Sequence, residues 1–167
     1  MVQLNINLLD LGTVQALDGL TDLDNDLTPL MDNIGARLEQ SARTRIESTN
    51  VGPDGSPWPQ SMRAVEDGGR TLFESGRLAA SLTHEADRRE ARIGSNLIYA
   101  GVHQSGATIT PTSGRALQFQ LPNGQFVTVG KVTIPARPYL GISETDELEI
   151  GELVSDFVSE ATGGAVQ

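Results

Sequence analysis

The sequence contains no cysteine, a single lysine and very few aromatic residues: one Trp, two Tyr and four Phe in 167 residues. Without cysteine there is no disulfide, no thiolate metal site and no Cys nucleophile. No apolar run approaches the 18 or so residues of a spanning helix, so no membrane crossing is expected. The first residues, Met1-Val-Gln-Leu-Asn-Ile-Asn-Leu8, lack the basic and apolar regions of a signal peptide. Bases are outnumbered by acids, 12 to 22, for a formal net charge of −10. That balance opposes a dedicated nucleic-acid grip but is compatible with a surface that repels passing DNA.

Charge of one sign is also missing locally. Residues 91–143 hold no carboxylate, while Arg92, Arg115, Lys131 and Arg137 lie within them. Residues 144–167 hold seven acids and no base. Strand-rich segments are ordinarily poor in Asp and Glu, which accounts for part of this. The other reading is self-association, an acidic patch of one subunit meeting a basic patch of the next.

The length fits one domain, expected over 1–160, with a disordered tail at 161–167. Val2, Leu4, Ile6 and Leu8 alternate with polar residues, which predicts a half-buried strand. A short helix is expected over 13–20, then an acidic connector at 21–26. The connector lacks the Gly and closing Glu of a calcium loop. Thr28-Pro29 reads as a helix start, with Thr28 as N-cap. Leu30, Met31, Ile34, Leu38, Ala42 and Ile46 then mark one face of a long amphipathic helix that stops before Gly52-Pro53. Arg43 and Arg45 near its end suit the helix dipole.

Residues 50–69 read as irregular, with a turn at Pro53-Asp54-Gly55. Trp58 lies between two prolines and reads as an anchor of this loop, or as an interface anchor. A Ser-capped short helix is expected after Ser75-Gly76, then a hairpin of residues 82–87 and 89–95. A second short helix is expected over Leu97–Gln104, with Ile98 and Val102 on one face and Gly106 as its stop. Leu117, Phe119 and Leu121 alternate, Asn123-Gly124 turns the chain, and Phe126–Val129 returns. Lys131–Ile134 is a further strand. Pro135 and Pro138 then hold an extended segment. Ser143 caps a final acidic helix with Leu148, Ile150, Leu153, Val154 and Phe157 as its apolar face. The fold class is therefore α+β: a small antiparallel sheet, a long N-terminal amphipathic helix, short helices and an acidic C-terminal helix. No internal repeat is visible.

Catalytic machinery is not evident. The two histidines, His84 and His103, have no helically spaced carboxylate to complete a metal site. Ser105 or Ser113 with His103 lacks a nucleophile elbow, and Gly68-Gly69-Arg70 is not a phosphate loop. The expectation is no enzyme, no metal and no cofactor.

Five ordered segments carry a resemblance: Gly52-Pro-Asp-Gly-Ser-Pro-Trp58; Leu72-Phe-Glu-Ser-Gly76-Arg-Leu78-Ala-Ala-Ser81; Gly94-Ser-Asn96 followed by Tyr99-Ala-Gly-Val-His103-Gln-Ser-Gly106; Ile134-Pro-Ala-Arg-Pro-Tyr-Leu-Gly141; and the acidic C-terminal helix. Together they resemble the Mu-like phage virion morphogenesis family, the tail completion proteins. Ser105 departs from the aromatic usual at that position. The resemblance implies a non-enzymatic virion protein at the neck or top of the tail, assembled in the bacterial host cytoplasm. It implies a fold similar to tail terminators, whose subunits form six-fold rings. Its partners would be further copies of itself, the tail tube protein and a head-side stopper or adaptor, with DNA passing through the lumen. The motif residues Trp58, Gly76, Leu78, Tyr99, His103, Gly106, Pro135, Arg137, Pro138 and Leu140 become the candidate interface. Between its prolines, Arg137 is expected to fork onto a neighbour's carboxylate from a stiffened arm.

Overall fold

A computed structural model describes residues 1–7, 26–114, 116–121 and 123–161. The expected helix over 13–20, nearly all of the acidic connector and the tail beyond 161 lie outside these residues.

The chain is α+β, as expected, but among the described residues the strands form three separate antiparallel sheets. Strands β1 (Val2–Asn7), β2 (Leu82–Ala86) and β3 (Glu90–Ser95) form the largest, in the order β1-β3-β2. Gly94 is needed there, because a Cβ on it would lie 2.5 Å from the Val2 carbonyl of the neighbouring strand. The long helix α1 (Thr28–Thr44) packs across β2 and β3. Its stripe Leu30, Met31, Ile34, Leu38 and Ala42 is buried, and so is Ile46 just beyond it. Each buried Leu, Ile or Met side chain of the stripe contributes about 1.5–3 kcal/mol, and Ala42 less.

The start of α1 differs from expectation. Thr28 is already helical and Leu27 holds the cap position without a side-chain bond; the carboxylate of Asp26, one residue earlier, accepts from the Thr28 amide at 3.0 Å and the Thr28 hydroxyl at 2.6 Å. Those two bonds hold the Asp26 carboxyl below its ordinary pKa. At the other end α1 widens into a π-helical turn, Arg45–Thr49, closed by Asn50 in the left-handed region. Asn tolerates that conformation. Its side chain donates to the Ile46 carbonyl at 3.1 Å and accepts from the Thr71 amide at 2.7 Å.

Where the sequence predicted only irregular chain, helix α2 (Met62–Asp67) forms. Ser61 caps it and the left-handed Gly68 ends it. The short helix α3 (Arg77–Ala80) begins after left-handed Gly76, and α4 (Ala100–Ser105) ends at Gly106. Helix α4 starts later than predicted, leaving Ile98 outside it and almost fully exposed. Two small sheets follow: β4 (Ala107–Ile109) with β7 (Val132–Ile134), and β5 (Leu117–Gln120) with β6 (Phe126–Val129).

The last helix, α5 (Glu144–Ala161), lies against α1. Ser143 caps it reciprocally with Asp146, each side chain bonding the other's backbone amide, at 3.3 and 2.9 Å. Ile150 and Val154 are buried, and Leu153 and Phe157 pack at the edge of the core. Leu148 does not belong to that face, being 68% exposed. Among the described residues no helix is long and apolar enough to cross a membrane.

Candidate functional site

The two prolines of Pro135–Gly141 remove backbone donors and fix φ, so the chain leaves strand β7 after Ile134 and must find partners elsewhere. It finds them inside its own subunit. The Arg137 amide donates to the His103 carbonyl at 2.8 Å. The Trp58 indole donates to the Pro138 carbonyl at 3.1 Å. Gln104 accepts from the Tyr139 and Leu140 amides, both at 3.0 Å, and donates to the Leu140 carbonyl at 2.9 Å. Arg45 donates to the Tyr139 and Gly141 carbonyls, at 3.1 and 2.9 Å. The Tyr139 ring is fully buried, and its hydroxyl donates to the Ala100 carbonyl at 3.1 Å. Burial, with a smaller contribution from Tyr99, pushes that phenol above its ordinary pKa.

This corrects the expected arm. Arg137 is 5% exposed, and its guanidinium forks onto the Pro59 and Gln60 carbonyls at 2.7 and 3.4 Å, not onto a carboxylate. The segment Pro135–Gly141 is an internal strap: it bonds α4 and the 50–60 loop directly, and through Arg45, in the turn after α1, it reaches Asp146 of α5. Trp58 is likewise buried within the subunit, as is Leu140. Gly106 permits the crossing: its φ is +73°, and a Cβ there would lie 2.8 Å from the Ala136 amide nitrogen.

The strap's second anchor is ionic. Arg45 pairs with Asp146, and both are almost completely buried. Burial alone would raise the Asp146 pKa. Hydrogen bonds from the Ser143 hydroxyl, Ser41 and the Ser143 amide, together with the Arg45 charge, outweigh it and hold the carboxyl below its usual range. Arg45 therefore does not serve the helix dipole at the surface. Arg37 pairs with Glu149 and also joins α1 to α5.

Gly76, Leu78, Tyr99, His103 and Arg137 meet around one open cleft of about 340 Å³, with Arg63 and Arg77 beside them. Leu78 points into the core and is buried. Tyr99 meets the His103 ring edge to face, at 5.9 Å between centroids. Burial and then the nearby Arg137 charge hold the His103 imidazole below its ordinary pKa. The unfolded chain thus takes up a proton first as pH falls below about 6.5, and native stability declines there. Replacing His103 with Gln is expected to flatten the stability–pH curve just below about pH 6.5. Urea titrations across that range would check it; an unchanged slope would contradict it. Among the described residues no three His, Asp or Glu gather as a metal site.

Beyond the strap the chemistry changes. From Ala107 to Ala136 not one described residue is buried. Yet Leu117 faces Val129 and Phe119 faces Val127 across β5 and β6, which gives this hairpin one apolar face. Phe126, on the other face, is 66% exposed. A two-stranded ribbon is marginal by itself in water. The middle of the acid-free stretch, residues 107–134, is thus an exposed β-arm attached to the core through the strap.

The structure thus joins a tightly bonded internal strap to an exposed arm. The sequence profile of the phage virion morphogenesis family matches residues 11–159. The chain belongs to that family. It is 31% identical over 157 residues to the Mu-like prophage FluMu G protein 2 of Haemophilus influenzae, covering 94% of this chain and 96% of that protein. It is 36% identical over 95 residues to the putative capsid assembly protein G of Escherichia phage Mu. That match covers 56% of this chain, which spans about half the length of the Mu protein, 49%. No solved structure matches the chain. As a family member it is a virion-associated structural or assembly protein.

The family motifs that the sequence singled out therefore converge on the strap and the cleft beside it. Pro135 is exposed and Pro138 half-buried at its two bends. Sequence reasoning missed Arg45, Gln104 and Asp146. A signal existed for two of them: Leu38, Ala42 and Arg45 share the buried stripe at spacings of four and three, and Asp146 stands four residues before Ile150.

Proposed function

We propose that this protein completes the phage tail. Copies form a six-membered ring at the head-proximal end of the tail tube, end its polymerisation and join the tail to the head. The observation that carries this reading is the β-arm: from Ala107 to Ala136 no described residue is buried and the sequence has no acid, on an otherwise well-bonded subunit. Such a surface is completed by association. The ring offers the last tube layer a matching face, and its second face receives the stopper or adaptor. A net charge of −10 per subunit leaves the lumen unattractive to DNA, which slides through without sticking. The role is structural, without catalysis or cofactor.

Deleting the gene is expected to give DNA-filled heads and separate tails under the electron microscope. Normally joined virions would overturn the proposal. A head-side stopper or adaptor ring is the second reading, favoured by the name of the Mu relative, a putative capsid assembly protein. Cross-links to the portal side, and none to tube protein, would select it.

A further inference from the structure

We infer that the apolar face of the β5–β6 hairpin docks on the outer face of α5 in a second copy of this chain. The inference names the contact behind the proposed assembly and does not depend on where in the virion that assembly sits.

Three observations converge. First, the hairpin face formed by Leu117, Phe119, Val127 and Val129 is at least partly open to solvent throughout: Phe119 is 38% exposed and no residue of the face is buried. Second, α5 carries a leucine on the wrong side. Leu148 stands opposite the buried Ile150 and Val154 stripe and is 68% exposed, with exposed Glu144 and Glu152 one turn to either side. Third, the charges are complementary. Residues 107–136 contain Arg115 and Lys131 and no acid; residues 144–161 contain seven acids and no base, and five of the seven remain once Asp146 is taken by Arg45 and Glu149 by Arg37. Other exposed apolar residues, Met62 and Val65, share α2 with both signs of charge, Arg63 against Glu66 and Asp67, and so lack that complementarity. The hairpin face and the α5 face are different surfaces, so a head-to-tail contact between them is heterologous. Repeated, it generates a ring or a helix of subunits.

The absence of cysteine makes the test clean. Phe119→Cys chains and Leu148→Cys chains are purified separately, mixed, and treated with a short bismaleimide. The same pair is co-expressed and treated in assembled particles. A cross-linked dimer is expected in the mixture and not with either variant alone. Lys131→Glu is expected to reduce its yield several-fold, as is raised salt, and Glu144→Lys in the partner to restore it. Cross-linking of Phe119→Cys chains alone would place arm against arm and overturn the inference. So would the absence of the mixed dimer both in solution and in particles. Either failure leaves the gene-deletion phenotype intact, which separates this contact from the proposed role.

Discussion

Replacing Asp146 with alanine is expected to destabilise the protein by about 3–5 kcal/mol, the usual cost of stranding one half of a buried ion pair. Three losses combine. Arg45, 5% exposed, keeps its charge with no counter-ion. The Ser143 amide and hydroxyl lose their acceptor, at 2.9 and 2.7 Å, so the start of α5 frays. The strap then holds α5 less firmly, because Arg45 also fixes the Tyr139 and Gly141 carbonyls. Asp146→Asn, which keeps an acceptor but not the charge, is expected to cost less. Adding Arg45→Met to Asp146→Leu should recover only part of the loss, since two strap carbonyls lose their donor. The pH dependence has a definite sign. The folded carboxyl has a lowered pKa, so its stabilisation is complete above the unfolded value of about 3.9 and disappears as pH falls through the folded value. Urea midpoints for the three variants at neutral and acid pH would check this. An Asp146→Ala protein within about 1 kcal/mol of the parent would refute the anchor.

Arg137→Glu should unfold the subunit, not merely loosen an oligomer. Read from sequence, Arg137 was a projecting cation, and reversing its charge would have been an assembly test. In the structure its guanidinium serves the Pro59 and Gln60 carbonyls, and burial already pushes its pKa down. A carboxylate at that site faces two carbonyl oxygens with no donor between them. Each unsatisfied buried group costs about 1–3 kcal/mol, and burying the unpaired charge costs more. A loss of at least about 3 kcal/mol is expected, seen as a collapsed thermal transition or insoluble protein. A folded Arg137→Glu monomer would show that the strap is less essential than its bonds indicate. Lys131→Glu, on the exposed arm, should leave the thermal transition within a degree or two while weakening association. The contrast between the two substitutions separates strap from arm.

These two residues show how far sequence reaches. Leu30 to Ile46 announced α1 by spacing alone, because a helix that buries one stripe must repeat apolar residues every three or four positions. Asn123-Gly124 and the alternation around it announced the β5–β6 hairpin in the same way. Ser143 announced the cap of α5. Local rules read local structure well. They fail where two signals compete, as at Leu148, which fits a helical spacing but lies on the solvent side, and at Thr28, where Asp26 holds the better acceptor two residues earlier.

The sequence by itself determined the α+β class, the cysteine-free chemistry, the segregation of charge and the ordered motifs of a virion morphogenesis protein. Those properties are carried by composition, period and order, which need no third dimension. Only the tertiary structure decided which motif is strap and which is arm. Residues such as Arg45 and Asp146 lie 101 positions apart, and a polar side chain is ordinary on the surface and structural when buried. Burial depends on what the rest of the chain places around a residue. The same arginine between two prolines can face a neighbour or hold its own subunit together, and here packing chose the second.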